Sequence, residues 1–230
     1  MNDMNSYYLV YQPIIKYIDS EKYTINDYEV LLRSKRTNQF PSEEFDCLIL
    51  NEAKHTCFLN WFINEITRTL NAYPNLSLSL NFHPEQWRFE NTLKLLEELA
   101  VFSNRIIIDS TEHSPLRCGS SNLNFNQSMT ALKEMGYRIS FDDVSTGINS
   151  MSFLLKNIEN IYRIKFSIIH FKTLDKKTLC LFIRVWSHFA EEFQIEFVIE
   201  GIEDIKLSQE LYRKGIKFQQ GYLFGKGDTL

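Results

Sequence analysis

Eight runs of strand length punctuate this chain, apolar throughout or alternating. They are YYLVYQPII (7–15), YEVLLR (28–33), LSLSLNF (76–82), RIIID (105–109), RISFD (138–142), IYRIKF (161–166), EFVIE (196–200) and FQQGYLF (218–224). Stretches of helical period lie between most of them. CFLNWFINEITRTL (57–70) places Leu59, Phe62, Ile63, Ile66 and Leu70 on one face. LCLFIRVWSHFAEEF (179–193) does the same with Phe182, Val185, Trp186, Phe189 and Phe193. Strands that alternate with helices imply βαβ units and a mainly parallel sheet. About eight strands suit an α/β fold of the TIM type, a closed (β/α)8 barrel. An open doubly wound sheet competes, but it wants a Gly-rich phosphate turn after the first strand. YQPIIKYIDSEK offers none.

No repeat, low-complexity tract or linker divides the 230 residues, so 1–230 reads as one domain. The Ser/Gly/Asn-rich stretch CGSSNLNFNQS (118–128) reads as a loop. A net charge of −4 without a long basic run argues against DNA or RNA as a partner, and against a polybasic membrane tether. No run reaches the ~20 apolar residues of a membrane span. The start MNDMNSYYLVYQP lacks a signal peptide's cationic region and cleavage site. Cys47, Cys57, Cys118 and Cys180 form no CxxC and read as reduced thiols, placing the chain in the cytoplasm.

The chemistry lies where the strands end. Glu29, Asn81, Asp109, Asp142, Asp143, Lys165, Glu200 and Gln220 stand at or near those ends, with Arg33 and Glu112 just beyond. In a parallel barrel these ends share one mouth, where barrel enzymes keep their active sites. Each acid alone could be a helix cap, Asp142 and Asp143 above all. As a set, so many like charges need a cation. Oxygen ligands without His or Cys select Mg²⁺ or Mn²⁺. This number of carboxylates suggests two ions about 3.5–4 Å apart, the arrangement used on phosphodiesters. Lys165 would touch the attacking water or the phosphate. A glycosidase or a metal-dependent isomerase fits the same acids equally well at this point.

The motif series narrows the choice. YQPII (11–15), YEVLLR (28–33), LSLNFHPEQW (78–87), IDSTEH (108–113), DDVSTG (142–147), RIKF (163–166), EGIE (200–203) and QGYLF (220–224) follow one another in order. In this the chain resembles the EAL domain of bacterial cyclic di-GMP phosphodiesterases over nearly its full length. The resemblance implies a barrel with one reversed strand near its start. It also implies hydrolysis of cyclic di-GMP to linear pGpG with two Mg²⁺ or Mn²⁺ ions. Carried over, Glu29, Asn81, Asp109, Asp142, Asp143 and Glu200 are metal ligands, with Asp142 bridging. Glu29 and Glu200 join Lys165, which orients the water, as catalytic residues. Glu112 is the carboxylate that anchors the loop after Asp143. Gln12, Arg33 and Gln220 contact substrate. A homodimer through the loop after Asp143 is implied too.

Some positions depart from the pattern. Val30 replaces the motif alanine and His83 a serine, read here as a rim residue. Asp109 stands for Glu, shortening a ligand by on the order of 1 Å, a misplacement that can cost about 10²-fold in rate. Val144 replaces an aromatic residue. Ser145 replaces a glycine, so a positive φ there is costly. Ser167 stands where members often carry Asp. These changes support an alternative reading, an impaired domain that binds cyclic di-GMP or regulates a partner protein.

Overall fold

The computed structural model describes residues 4–114 and 121–230. Its strands are β1 (Tyr7–Tyr17), β2 (Tyr23–Ser34), β3 (Leu78–Phe82), β4 (Ile106–Ser110), β5 (Arg138–Phe141), β6 (Arg163–Ser167), β7 (Glu196–Glu200) and β8 (Phe218–Gln220). They close into a barrel in sequence order. β1 runs antiparallel to both β2 and β8, and every other neighbouring pair is parallel. The barrel is therefore of the expected type, with the expected single reversed strand. The open sheet is excluded.

Among the described residues seven α-helices accompany the strands: α1 (Ser42–Ile49), α2 (Glu52–Ala72), α3 (Glu90–Leu99), α4 (Ser121–Glu134), α5 (Met151–Lys156), α6 (Lys176–Glu192) and α7 (Ile205–Arg213). Short polar residues start four of them. Side chains of Asn51, Ser150, Asp175 and Asp204 accept first-turn N–H groups at the heads of α2, α5, α6 and α7. No helix among the described residues is long and apolar enough to cross a membrane.

Three local expectations change. The stretch 118–128 is not all loop, because α4 begins at Ser121. Phe125, Met129 and Leu132 are buried at helical spacing, and this packing overrides the weak helix propensity of Ser and Asn. Cys118 lies outside the described residues. On α6 the buried face is Ile183, Trp186, Phe189 and Ala190, whereas Phe182, Val185 and Phe193 are exposed together with Leu181. The helix carries two apolar faces, and periodicity alone does not say which one meets the barrel. Finally, β8 stops at Gln220. Gly221 crosses so close to the Ile202 backbone that a Cβ would overlap it, and the chain turns away.

Strand parity separates two interiors. Val30, Leu80, Ile108, Ile139, Phe141, Ile164, Phe166 and Ile199 point outward into the apolar core under the helices. Their sequence neighbours point into the barrel, because side chains alternate along a strand. That inner lining is largely polar: Gln12, Glu29, Ser79, Asp109, Ser140, Arg163, Lys165 and Gln220 are buried there, beside the apolar Ile107 and Val198.

Candidate active site

The inner charges stack in two layers. Deep in the barrel, fully buried Arg163 grips Asp27 with both terminal nitrogens, at 2.9 and 2.6 Å, and Glu196 through Nε at 2.6 Å. Two residues further along β2 and β6, and four further along β7, lies the layer at the mouth. Here Lys165 Nζ stands 2.6 Å from Glu200, 3.2 Å from Asp142, and 3.5 Å from both Glu29 and Asp109. The Lys165 side chain is fully buried.

The remaining strand-end residues brace this layer. Asn81 Nδ2 donates to Glu29 Oε1 at 2.7 Å, and Gln220 Nε2 donates to Glu29 Oε2 at 2.6 Å. Gln220 also meets Gln12 Oε1 at 3.2 Å, and Gln12 in turn donates to the Gly225 carbonyl. Ser79 Oγ donates to Asp109 Oδ2 at 2.6 Å. So Glu29, Asn81, Asp109, Asp142, Lys165, Glu200, Gln12 and Gln220 converge on one place.

Asp143 begins a tight loop at φ 46°, and Ser145 follows at φ 79°. Neither Asp142 nor Asp143 caps a helix, since Ser150 caps α5. Val144 is buried, and its N–H bonds the Lys165 carbonyl at 2.9 Å. Glu112 meets this loop through its backbone: its carbonyl accepts from Ile148 N at 2.9 Å, and a Cβ on Gly147 would overlap it. The Glu112 carboxylate lies 3.5 Å from His113. Arg33 stands apart from the acids. It shares with Glu112 the wall of a cleft of 440 Å³ that also meets Asn81, Asp142 and Asp143. His83 lines the same cleft but is itself buried, its Nδ1 accepting from Glu85 N.

Electrostatics follow from crowding. Burial pushes the Glu200 carboxyl up to about 7 and the Asp142 carboxyl well above its ordinary range, and neighbouring carboxylates add to both. Burial lowers Lys165, but four facing acids outweigh it and hold the ammonium charged. Two cations, Lys165 and Arg163, thus face six carboxylates. The excess calls for protons or for metal ions. Among the described residues, Asp142, Asp143 and Glu200 offer oxygens within 4.8 Å of one another. Asn81 Oδ1, Asp109 Oδ1 and Asp143 Oδ1 are buried without a hydrogen-bond partner. An all-oxygen donor set with unpaired buried oxygens fits a hard divalent cation.

Four site residues escape a search of strand ends. Asp27 and Arg163 precede Glu29 and Lys165 by two, so period-2 parity would reveal them. Ser79 stands in the same relation to Asn81. His170, whose Nε2 lies 2.9 Å from Asp143 Oδ2, sits in a turn that no periodicity positions.

Similar proteins bear on the family and the fold. The family model described as "EAL domain" matches residues 3–227. The cyclic di-GMP phosphodiesterase RocR of Pseudomonas aeruginosa is 24% identical over 155 residues, 66% of this chain and 38% of that protein. A standalone EAL protein of Vibrio cholerae, solved with cyclic di-GMP bound, superposes with a TM-score of 0.75 at 18% identity. That match covers 97% of this chain and 92% of the other. Klebsiella pneumoniae BlrP1, solved as a manganese and cyclic di-GMP complex, gives 0.75 at 21% identity over 96% of this chain and 56% of its own. These structures share the fold. The chain spans only 20%, 21% and 44% of the length of three curated relatives it matches.

Proposed function

Because the chain belongs to the EAL domain family, we propose that it is a phosphodiesterase that hydrolyses cyclic di-GMP to linear pGpG with two divalent cations, Mg²⁺ or Mn²⁺. The observation that carries this reading is Lys165, buried within 3.5 Å of Glu29, Asp109, Asp142 and Glu200 at a barrel mouth. Glu29, Asn81, Asp109, Asp142, Asp143 and Glu200 would hold the cations. Bound there, cations supply Lewis acidity toward the phosphodiester and a more acidic water.

The chain's own groups do the rest. Lys165 presents an ammonium to the attacking water or the phosphate. Asn81 and Gln220 each donate to Glu29, fixing both of its oxygens. Arg33 offers a guanidinium on the cleft wall, suited to a phosphate or a base edge. Gln12 reaches the substrate side through its contact with Gln220. Glu112 braces the loop that carries Asp143.

In this reading the protein works in the cytoplasm. A homodimer is proposed on the apolar surface beside the loop, where Ser145 and Thr146 adjoin exposed Leu181, Phe182 and Val185. Neither DNA, RNA nor a membrane is a partner in this reading.

The test is purified protein with Mg²⁺ or Mn²⁺ and cyclic di-GMP. Linear pGpG should accumulate, and chelation or Glu29→Ala should stop it. No pGpG at micromolar enzyme with either cation overturns the proposal. The left-handed Ser145 and the short Asp109 favour a second reading, a domain that binds the nucleotide or a regulatory protein partner without turnover. Calorimetry showing nucleotide binding by an inactive protein would support it.

A further inference from the structure

We propose that His170 is a positioning residue for Asp143, fixing that carboxylate so that one oxygen faces the cation site. The inference rests on the metal-site reading given above.

His170 lies in the short turn Ile168–Phe171 that follows β6. The turn is held from both sides. Phe171 stacks on Phe166 of β6 with ring centroids 4.9 Å apart and planes 3° from parallel. Ile168 and Ile169 pack where Gly201 lacks a side chain, and a Cβ there would strike Ile169. His170 is therefore presented from an anchored segment, although its side chain is 44% exposed.

Its Nε2 lies 2.9 Å from Asp143 Oδ2. An ionised carboxylate only accepts, so the proton of this bond sits on Nε2. The bond occupies Oδ2 and leaves Oδ1, which is buried and has no partner. The backbone of Asp143 is fixed separately, because its carbonyl accepts from Thr146 N at 3.0 Å and Thr146 Oγ1 at 2.6 Å. With backbone and Oδ2 both held, Oδ1 is the oxygen left to ligate, and Asp143 stands with Asp142 and Glu200 in a set whose carboxylate oxygens lie within 4.8 Å of one another. Hydrogen bonds to ligating carboxylates are a common means of tuning a metal site, and losing one costs about 10- to 100-fold in metal affinity.

The test titrates the intact protein with Mn²⁺ alone, without nucleotide, and follows the free-ion signal by electron paramagnetic resonance. His170→Ala should weaken Mn²⁺ binding by about 10- to 100-fold. His170→Gln, whose amide can donate at nearly the same place, should recover most of it. In an Asp143→Ala background, His170→Ala should change nothing further, which a merely structural role would not produce. Urea denaturation should show His170→Ala folded and near wild-type stability, as expected for a half-exposed pair. Binding by His170→Ala within twofold of wild type overturns the proposal and leaves the metal site standing. Equal losses in the Ala and Gln variants overturn the donor role. A wild-type protein that binds no Mn²⁺ overturns the metal-site reading and this inference together.

Discussion

The indole N–H of Trp186 donates to the Ser145 hydroxyl at 2.6 Å, tying α6 to the loop that carries Asp142 and Asp143. Ser145 makes that bond at φ 79°, where a side chain costs about 1–2 kcal/mol. A hydrogen bond contributes about 1 kcal/mol net. The two effects are comparable, so Ser145→Gly should alter stability by less than about 1 kcal/mol. Ser145→Ala keeps the strain, loses the bond and leaves a buried indole N–H unpaired. It should be about 1–3 kcal/mol less stable than wild type. Urea denaturation of the three proteins checks the order. An alanine variant as stable as the glycine variant rules the account out.

Arg163 and Asp27 form a fully buried pair inside the barrel. Removing one partner strands the other charge, which costs about 3–5 kcal/mol. Arg163→Met should therefore destabilise by that amount. Adding Asp27→Leu should recover part of it, since the stranded carboxylate is gone. Glu196 is partly exposed and can turn toward water. A double variant whose loss equals the sum of the single losses would show that the pair is not coupled.

Glu200 and Asp142 both have raised carboxyl values in the folded state. A raised acid holds its proton in the fold and releases it in the unfolded chain. It therefore weakens the fold as pH climbs from the unfolded value toward the folded one. For Glu200 that window runs from 4.5 to about 7. His55 and His83, lowered by burial to about 4, act in the opposite direction below 6.5. A comparison of variants isolates the acid. In chelator, Glu200→Gln should gain stability over wild type as pH rises from 5 to 8, by on the order of 1–3 kcal/mol. Added Mn²⁺ should erase the advantage by binding the wild-type carboxylates. Thermal melts at four pH values decide it, and a constant difference between the proteins contradicts the shift.

Much of this was legible in the residues and some was not. Strand-length runs between helical stretches indicate the barrel, and Glu29, Lys165 and Glu200 stand at strand ends for chemical reasons. The reversed β1 is not legible from periodicity, because a strand reads the same in either direction. It enters through the motif series. Asp27 and Arg163 follow from parity once the interior is known to be polar, whereas an ordinary barrel packs apolar residues there. The buried face of α6 escapes because both of its faces are apolar. His170 depends on how one turn folds back, which no local pattern encodes.

Asp109 decides between the two readings of the site. Its Oδ2 is held by Ser79 and lies 3.5 Å from Lys165, while Oδ1 is buried and unpaired. The hydroxyl of Ser79 draws a short side chain back toward the barrel floor. Asp109→Glu advances the carboxylate by on the order of 1 Å, a displacement that changes rates by up to about 10²-fold. If this ligand limits turnover, kcat should rise by about 10- to 100-fold. KM should barely move, because Arg33 and Gln12 are untouched. Asp109→Glu with Ser79→Ala should do at least as well, since the tether is gone and a larger side chain has room. Steady-state pGpG formation measures both variants, and denaturation confirms that they fold. An unchanged kcat would clear Asp109. The Ser145 loop, whose strain sits two residues from Asp143, and Ser167, two residues after Lys165, would then remain as departures able to slow the chemistry.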